Sequence, residues 1–561
     1  MRFAVDRAAL RMDARRMGRR LVWMRIAAAV ASGLLVAGAC PPLDLTWLAW
    51  VGMLPLLWAL WSIDGKRAGS KGFGIGYLAG LVACLIQFNW VASVSWLGAI
   101  LLPMYLAVYW GLFGIFAAKF GCRGKDLTVA FCTGAVWAGT ELLRGWVITG
   151  ISWNVLGVAF HDTPLMAQAA DLLGVVGLSM ALVFFQAVVV QVLKRRTWVH
   201  LGVAAAVMGL IAIYGFVRIK MEDSTESIRL RTLLVQLNIP MDASQMLWTD
   251  LQMHQAYEDE TLKGLQAAKP FPDWVMWPEC ALTGRILRTD DGGWGMWQIN
   301  HDTIAQVRTA GPFQLIYGVN ELEAEKDGDN LVPKLKGKAW NSLAVMSPND
   351  DLQTYRKEHL VIFGETIPFI DSLPFLKKIY EEQSGAEFGG SFTPGDKFDP
   401  LPIAVGDKTV GAIPTICFED SVPRLTRKFV RPGPQVIINV TNDGWFKQSA
   451  AAAQHFEYAR FRAIEFRRPM LRSANSGVSA AIDSTGSTAH PDTGKSQIIA
   501  DEKGSHFTRG SLLTELKIPL HPTFSFYAII GDWGIIVLSV LALMVAVCER
   551  KRSEGATESV L

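Results

Sequence analysis

At 561 residues the chain exceeds what one hydrophobic core organises, about 100–200 residues, so more than one folding unit is expected. Half of it is apolar (51%) and only 19% is charged, which excludes disorder, while seven Cys are too few for a disulfide scaffold. A formal net charge of +3 gives no footing for nucleic acid, and no such partner is expected.

In chain order, apolar runs cover 26–40, 44–62, 73–95, 98–118, 127–143, 166–193 and 199–217. Most approach the roughly 20 residues with which a helix crosses about 30 Å of hydrocarbon. Beyond them the texture changes to short β-rich runs, beginning with Leu230–Ile239, at ordinary charge density, which predicts an α/β domain. A last apolar run covers 524–548. The predicted architecture is a polytopic helical membrane domain at 1–219 with seven spans, an extracytoplasmic α/β domain at 220–522, and an eighth span with a cytoplasmic tail at 523–561.

Basic residues set the orientation. Arg15, Arg16, Arg19, Arg20 and Arg25 precede the first span, and Pro41–Asp44 after it holds no base. Lys66, Arg67 and Lys71, then Lys119, Arg123 and Lys125, then Lys194, Arg195 and Arg196, and finally Arg550, Lys551 and Arg552 make every second loop basic. Both termini are therefore expected in the cytoplasm and the large domain across the membrane. Ala37-Gly38-Ala39-Cys40 also has the outline of a signal ending at a lipidated cysteine, but the usual preceding Leu is missing and Pro41-Pro42 follows at once.

Three strand ends in the α/β domain carry chemistry. Asp273–Trp277 ends in Trp277-Pro278-Glu279, and a carboxylate at a strand's C-terminal edge lies where open α/β sheets put ligand sites. Tyr355-Arg356-Lys357-Glu358-His359-Leu360 runs into Val361–Phe363 and Gly364-Glu365. Thr409–Ile416 delivers Cys417-Phe418-Glu419-Asp420 just before a predicted helix start, which favours the thiolate. Alone, each has an ordinary reading as a loop acid, a surface lysine or a small buried residue.

In that order, Glu279, Lys357 and Cys417 resemble the base, cation and nucleophile of the nitrilase superfamily. Asn442-Asp443-Gly444-Trp445-Phe446 after the strand Val436–Val440, and His455 through Arg468-Pro469 to Arg472-Ser473-Ala474-Asn475, extend the resemblance over most of 229–520. It implies an α-β-β-α sandwich. With spans on both sides, and with Val235–Pro240, Trp248, His359–Val361 and Glu141–Gly145, the chain resembles the apolipoprotein N-acyltransferase family, the membrane-embedded branch of that superfamily. Departures are Cys280 where the family often has Ser, Phe418 where it often has Tyr, and Leu237 where it often has Gly.

The resemblance implies an acyltransferase of the bacterial inner membrane, acting as a monomer with its catalytic domain in the periplasm. Its donor would be the sn-1 chain of a phospholipid such as phosphatidylethanolamine, and its acceptor the α-amine of a diacylglyceryl-cysteine lipoprotein. Glu279 would be general base, Cys417 the nucleophile carrying a thioester, and Lys357 the oxyanion donor, with Glu365 orienting Lys357 and Glu419 supporting the pocket. Trp248, Phe418 and Trp445 would line the substrate pocket or a lid. A carboxylate that takes the thiol's proton raises the usable nucleophile, and a fixed ammonium opposes charge on the carbonyl oxygen. Glu141 and Arg144, i and i+3 near a membrane boundary, read as a structural pair. Nine His and seven Cys show no ligand spacing, so neither metal nor cofactor is expected. A membrane-anchored amidase, or a receptor whose outer domain only binds, remain the alternatives.

Overall fold

A computed structural model describes residues 7–121, 125–242, 245–362, 364–367, 375–384 and 390–558. Cys122, Arg123 and Phe363 lie outside the described residues.

The N-terminal part is a helical bundle. Among the described residues, six helical segments are long and apolar enough to cross a membrane: Met17–Gly38, Ala68–Gln87, Trp96–Phe120, Ala170–Arg195, Trp198–Asp223 and Trp533–Arg552. The run at 44–62, expected to be one span, is instead a 3-10 helix, Thr46–Trp50, and a short helix, Leu54–Leu60. The break is buried, so its backbone groups need internal partners. Gln186 provides two, accepting from Met53 N (2.8 Å) and donating to Ala49 O (3.0 Å), while Ser32 bonds Gly52 O (2.6 Å) and Leu56 N (2.9 Å). Asp126–Arg144 packs within the same bundle but carries three charges. The last apolar run is likewise interrupted: Phe526–Ile530 stops at Gly531 (φ 57°) before the final helix. Helices Ala68–Gln87 and Trp96–Phe120 meet backbone to backbone, because a Cβ at Gly72 would lie 2.3 Å from Gly114 O and one at Gly76 would lie 2.3 Å from Trp110 O.

From Ser227 onward the chain builds two sheets. The main path of the first runs Leu352–Arg356, Ala339–Met346, Gln314–Asp327, Trp274–Met276, Ser227–Gln236 and Gly510–Pro519, with the central pairs parallel. The second runs Leu401–Val405, Lys408–Ile416, Gln435–Thr441, Met470–Ala474 and Ala480–Ile482, again parallel at its centre. Strand alternation decides what each face does. Trp274 and Met276 point into the core shared with the second sheet, while Val275 and Trp277 point outward into a core closed by helices Asp250–Ala267 and Gln298–Arg308. Helices Pro423–Phe429 and Ala451–Phe466 cover the second sheet, completing the α-β-β-α sandwich.

Helix Ala451–Phe466 has a second role. Its Ala451, Tyr458, Phe461 and Ile464 pack into the core of the membrane bundle, while Ala459, Ala463 and Phe466 pack on the sheet. Polar groups fasten this seam. Gln454 donates to Pro41 O (3.0 Å) and Gln87 O (3.1 Å) and accepts from Trp90 (3.1 Å) and Asn154 (3.1 Å). Buried Arg467 grips Asp171 from Nε (3.0 Å) and Nη2 (2.7 Å). Glu141 and Arg144 brace a loop of the bundle rather than bonding to each other: Glu141 accepts from Leu156 N (2.8 Å) and Arg144 donates to Trp153 O (2.7 Å). The sandwich and the bundle thus share one almost wholly buried helix, and further bonds such as Ser152 Oγ to Ser421 O (2.8 Å) join them beside it.

Candidate active site

Glu279, Lys357 and Cys417 each arrive at the end of a different strand. Glu279 follows Trp274–Met276 at the centre of the first sheet. Gly318 on the neighbouring strand lets it sit there, because a Cβ at Gly318 would lie 2.5 Å from Glu279 Cα. Lys357 follows Leu352–Arg356. Cys417 follows Lys408–Ile416 in the second sheet, opens the 3-10 helix Cys417–Ser421 and has φ 51°, an unusual conformation for a residue with a side chain.

Their side chains converge. Lys357 Nζ lies 2.9 Å from both Glu365 oxygens and 3.8 Å from Glu279 Oε1. Asn341 Nδ2 bridges the two acids, donating to Glu279 Oε1 (2.8 Å) and Glu365 Oε1 (2.7 Å). Glu279 Oε2 is buried without a hydrogen-bond partner among the described residues, and the Cys417 thiol is its electrostatic neighbour. Burial raises the Glu279 carboxyl and Lys357 opposes that rise. Burial works against charge on Lys357 as well, but Glu365 and then Glu279 more than offset it and hold the ammonium protonated. Burial, then the Glu279 carboxylate, push the Cys417 thiol well above its usual value.

Glu419 is a scaffold for the loops rather than a partner of the ammonium. Its Oε1 accepts from Tyr355 Oη (3.0 Å), Glu358 N (2.8 Å) and His359 N (2.9 Å), and its Oε2 accepts from Ile416 N (2.8 Å). One buried carboxylate thus ties the lysine loop to the strand that ends at the nucleophile. Burial lifts its carboxyl to about 7, despite Lys357 and these amides.

Behind the cysteine lies a buried ionic network. His455 Nδ1 meets Asp443 (2.7 Å) and Nε2 meets Asp420 (2.8 Å), while Arg472 bonds Asp420 (2.9 Å), Asp443 (2.8 Å) and Asn439 Oδ1 (3.0 Å). Asn439 in turn donates to Cys417 O (3.1 Å), so the network holds the nucleophile's backbone. Although burial opposes it, the Asp420 and Asp443 carboxylates hold His455 up at about 9. A folded-state value above the ordinary 6.5 contributes stability that is complete below that pH and is lost as pH rises through about 9. The contribution is ~3 kcal/mol. Thermal unfolding in detergent should therefore show a drop between about pH 7 and pH 9 that is absent in His455→Gln; equal slopes in both proteins would remove the charged imidazole from this role.

An aromatic row leads from this site into the bundle. The rings of His359 and Phe418 stack at 6.1 Å, Phe418 and Trp153 at 5.8 Å, Trp153 and Trp90 follow at 5.3 Å, and Trp90 meets Phe446 edge-on at 4.5 Å. Phe418 therefore faces the membrane domain. Trp445 is half-buried on the 3-10 helix Asp443–Phe446, and Trp248 packs against the outer core of the first sheet beside the N-cap of Asp250–Ala267.

A family model described as apolipoprotein N-acyltransferase N-terminal domain matches residues 32–188, and one described as carbon-nitrogen hydrolase matches residues 232–501. The apolipoprotein N-acyltransferase of Allorhizobium ampelinum is 31% identical over 490 residues, 83% of this chain and 87% of the relative. The chain belongs to the apolipoprotein N-acyltransferase family. A further apolipoprotein N-acyltransferase, from Geobacter metallireducens, is 29% identical over 82% of this chain and 85% of its own. Among solved structures, a carbon-nitrogen hydrolase from Helicobacter pylori G27 covers 52% of this chain and 89% of its own at 13% identity, with a TM-score of 0.32.

Within this apolipoprotein N-acyltransferase family member, sequence reasoning missed Asn341, Asn439 and Trp90, while Trp153 entered only as one of the residues that carry the family resemblance. A signal for Asn341 exists: with Ser342 it is one of two polar residues in the strand Ala339–Met346, and a buried amide must find a partner. Trp90 carries no comparable mark, since tryptophans are common in membrane domains.

Proposed function

We propose that the protein transfers the sn-1 acyl chain of a phospholipid, phosphatidylethanolamine as first donor, through a Cys417 thioester to the α-amine of a diacylglyceryl-cysteine lipoprotein. The observation that carries this reading is the buried Glu279–Lys357–Cys417 cluster on a domain whose helix Ala451–Phe466 is embedded in an apolar bundle. The Cys417 proton passes to Glu279 while sulfur attacks the ester carbonyl, and Lys357 opposes the charge on its oxygen. Collapse expels the glycerol oxygen, which takes the proton from Glu279, and lysophospholipid leaves. The acceptor amine then attacks the thioester, Glu279 takes its proton, and the amide product departs as the thiol is restored.

Glu365 keeps Lys357 charged and placed, and Phe418 with Trp248 and Trp445 are assigned to the substrate pocket or its cover. No cofactor is needed for these steps, and one copy suffices. In this reading phospholipid alone produces an acyl-enzyme with one fatty acyl added to the intact mass. A diacylated lipopeptide with a free α-amine discharges it quickly, and the same peptide N-acetylated hardly at all. Fast release of fatty acid without acceptor would instead favour a hydrolase.

The same reading places the protein in the inner membrane with eight crossings. The six long helices are then joined by the broken segment Thr46–Leu60 and by Asp126–Arg144, with both termini cytoplasmic and the catalytic domain periplasmic. A reporter fused near residue 400 should be active only in the periplasm and one after Leu561 only in the cytoplasm; the reverse pattern would overturn this topology.

A further inference from the structure

Where the catalytic helix meets the bundle, away from the residues assigned to acyl transfer, three metal-ligating side chains from distant parts of the chain point at one another. His161 Nε2 lies 3.0 Å from Asp44 Oδ1 and 3.5 Å from Glu457 Oε1, and the three ligand atoms all fall within 4.8 Å of one another. Asp44 lies in the turn after the first helix, His161 in the 3-10 helix Leu156–Asp162, and Glu457 on Ala451–Phe466. We infer that Asp44, His161 and Glu457 form a divalent transition-metal site, of the zinc class, that clamps the catalytic domain to the membrane domain.

Glu457 supplies the independent observation. Its side chain is 6% exposed and aimed into the cluster, yet neither carboxylate oxygen takes a hydrogen bond from a described residue; its nearest polar neighbour is His161 Nε2, which Asp44 already engages at the shorter distance. A single proton on Nε2 serves Asp44 at 3.0 Å and leaves the more buried acid only a longer ion-pair contact at 3.5 Å. A cation at the centre serves all three. The surroundings are acidic too: Asp162 faces Glu457 alongside Asp44, against one guanidinium, Arg460, whose Nε is spent on Gly486 O (2.9 Å). Asp162 is itself fixed by Thr46 (2.7 Å) and Thr163 (3.1 Å).

The spacing fits a small ion. Zinc bonds nitrogen and oxygen at about 2.0–2.2 Å, so neighbouring ligands in a tetrahedral shell stand roughly 3.3–3.5 Å apart. The two measured edges bracket that range, and the third, between Asp44 and Glu457, is within 4.8 Å. An imidazole donor favours zinc over calcium or magnesium, which prefer all-oxygen shells. Chain segments more than a hundred residues apart provide the ligands, so no spacing signature could announce them, and the expectation of no metal rested on spacing alone.

The test uses full-length protein in detergent, purified without a histidine tag, stripped with EDTA and titrated with Zn²⁺, Co²⁺, Mg²⁺ or Ca²⁺. The expected results are about one Zn²⁺ per chain by elemental analysis, a rise in Tm that EDTA reverses, and a visible Co²⁺ band of a four- or five-coordinate nitrogen and oxygen site. His161→Gln and Glu457→Gln should bind Zn²⁺ about 100-fold more weakly or worse and lose the metal-dependent rise in Tm. If the variants do not fold, the wild-type Co²⁺ spectrum decides alone: the weak absorption of an octahedral aquo ion would overturn the site. So would stripped protein that takes up no zinc, variants that bind it like wild type, or an equal response to Mg²⁺ or Ca²⁺. Stability that follows pH but ignores every metal would identify a protonated His161 ion pair and likewise overturn the proposal.

Discussion

Cys417→Ala is expected to abolish both the acyl-enzyme and the acylated product while leaving a folded protein. Alanine retains the backbone that Asn439 holds and the buried network of Asp420, His455, Asp443 and Arg472 behind it, so the loop keeps its supports. What disappears is the thiol that follows the strand Lys408–Ile416 and has the Glu279 carboxylate beside it as base. The expected loss is on the order of 10⁴-fold or more, as for removal of a covalent nucleophile elsewhere. Cys417→Ser separates reactivity from shape. Its hydroxyl fits the same φ of 51°, but its far higher pKa makes proton transfer to a carboxylate much harder, and turnover should stay near background. Intact mass after exposure to defined phospholipid, with Tm of both variants near wild type, checks the result. An acyl adduct on the alanine variant would show that another residue carries the chain.

How much of this could be read beforehand follows from what each residue needs. Glu279, Lys357 and Cys417 were legible together rather than singly: each sits at a predicted strand end, and their order resembles the nitrilase triad. Glu365 was legible as an acid one turn beyond the lysine loop. The resemblance already implied that Glu365 orients Lys357 and that Glu419 supports the pocket; what it did not give is how, since Glu365 meets the ammonium directly while Glu419 accepts from the backbone amides of Glu358, His359 and Ile416. The run at 44–62 misled for a definite reason. Hydropathy counts apolar side chains and is blind to a backbone break, and here Gln186 and Ser32 satisfy the freed groups from other helices. Helix Ala451–Phe466 was obscure in the opposite way: it is buried on both faces, one against the sheet and one against the bundle, so its Gln454, Glu457 and Arg462 look like surface residues in the sequence.

Lys357→Met should lower the rate of acylation by about 10²–10⁴-fold, from loss of the oxyanion donor, and should also change its pH dependence. The second effect comes from the neighbours. In the wild type burial raises the Glu279 carboxyl, Lys357 is the largest influence opposing that rise, and the Glu365 carboxylate adds to it. Removing the ammonium leaves two buried carboxyls bridged by Asn341 with nothing to neutralise them, so at least one must bind a proton. A base with a higher pKa is available only at higher pH. The acid limb of the single-turnover acylation rate should therefore move upward in Lys357→Met, and adding Glu365→Gln, which removes the competing negative charge, should move it part of the way back. Glu279→Gln loses the limb altogether and lowers the rate by about 10²–10⁴-fold at every pH. These outcomes separate electrostatic placement from simple damage to the pocket: a distorted site lowers the rate without shifting its pH profile, and an unshifted limb in Lys357→Met would mean that the ammonium does not set the charge of Glu279.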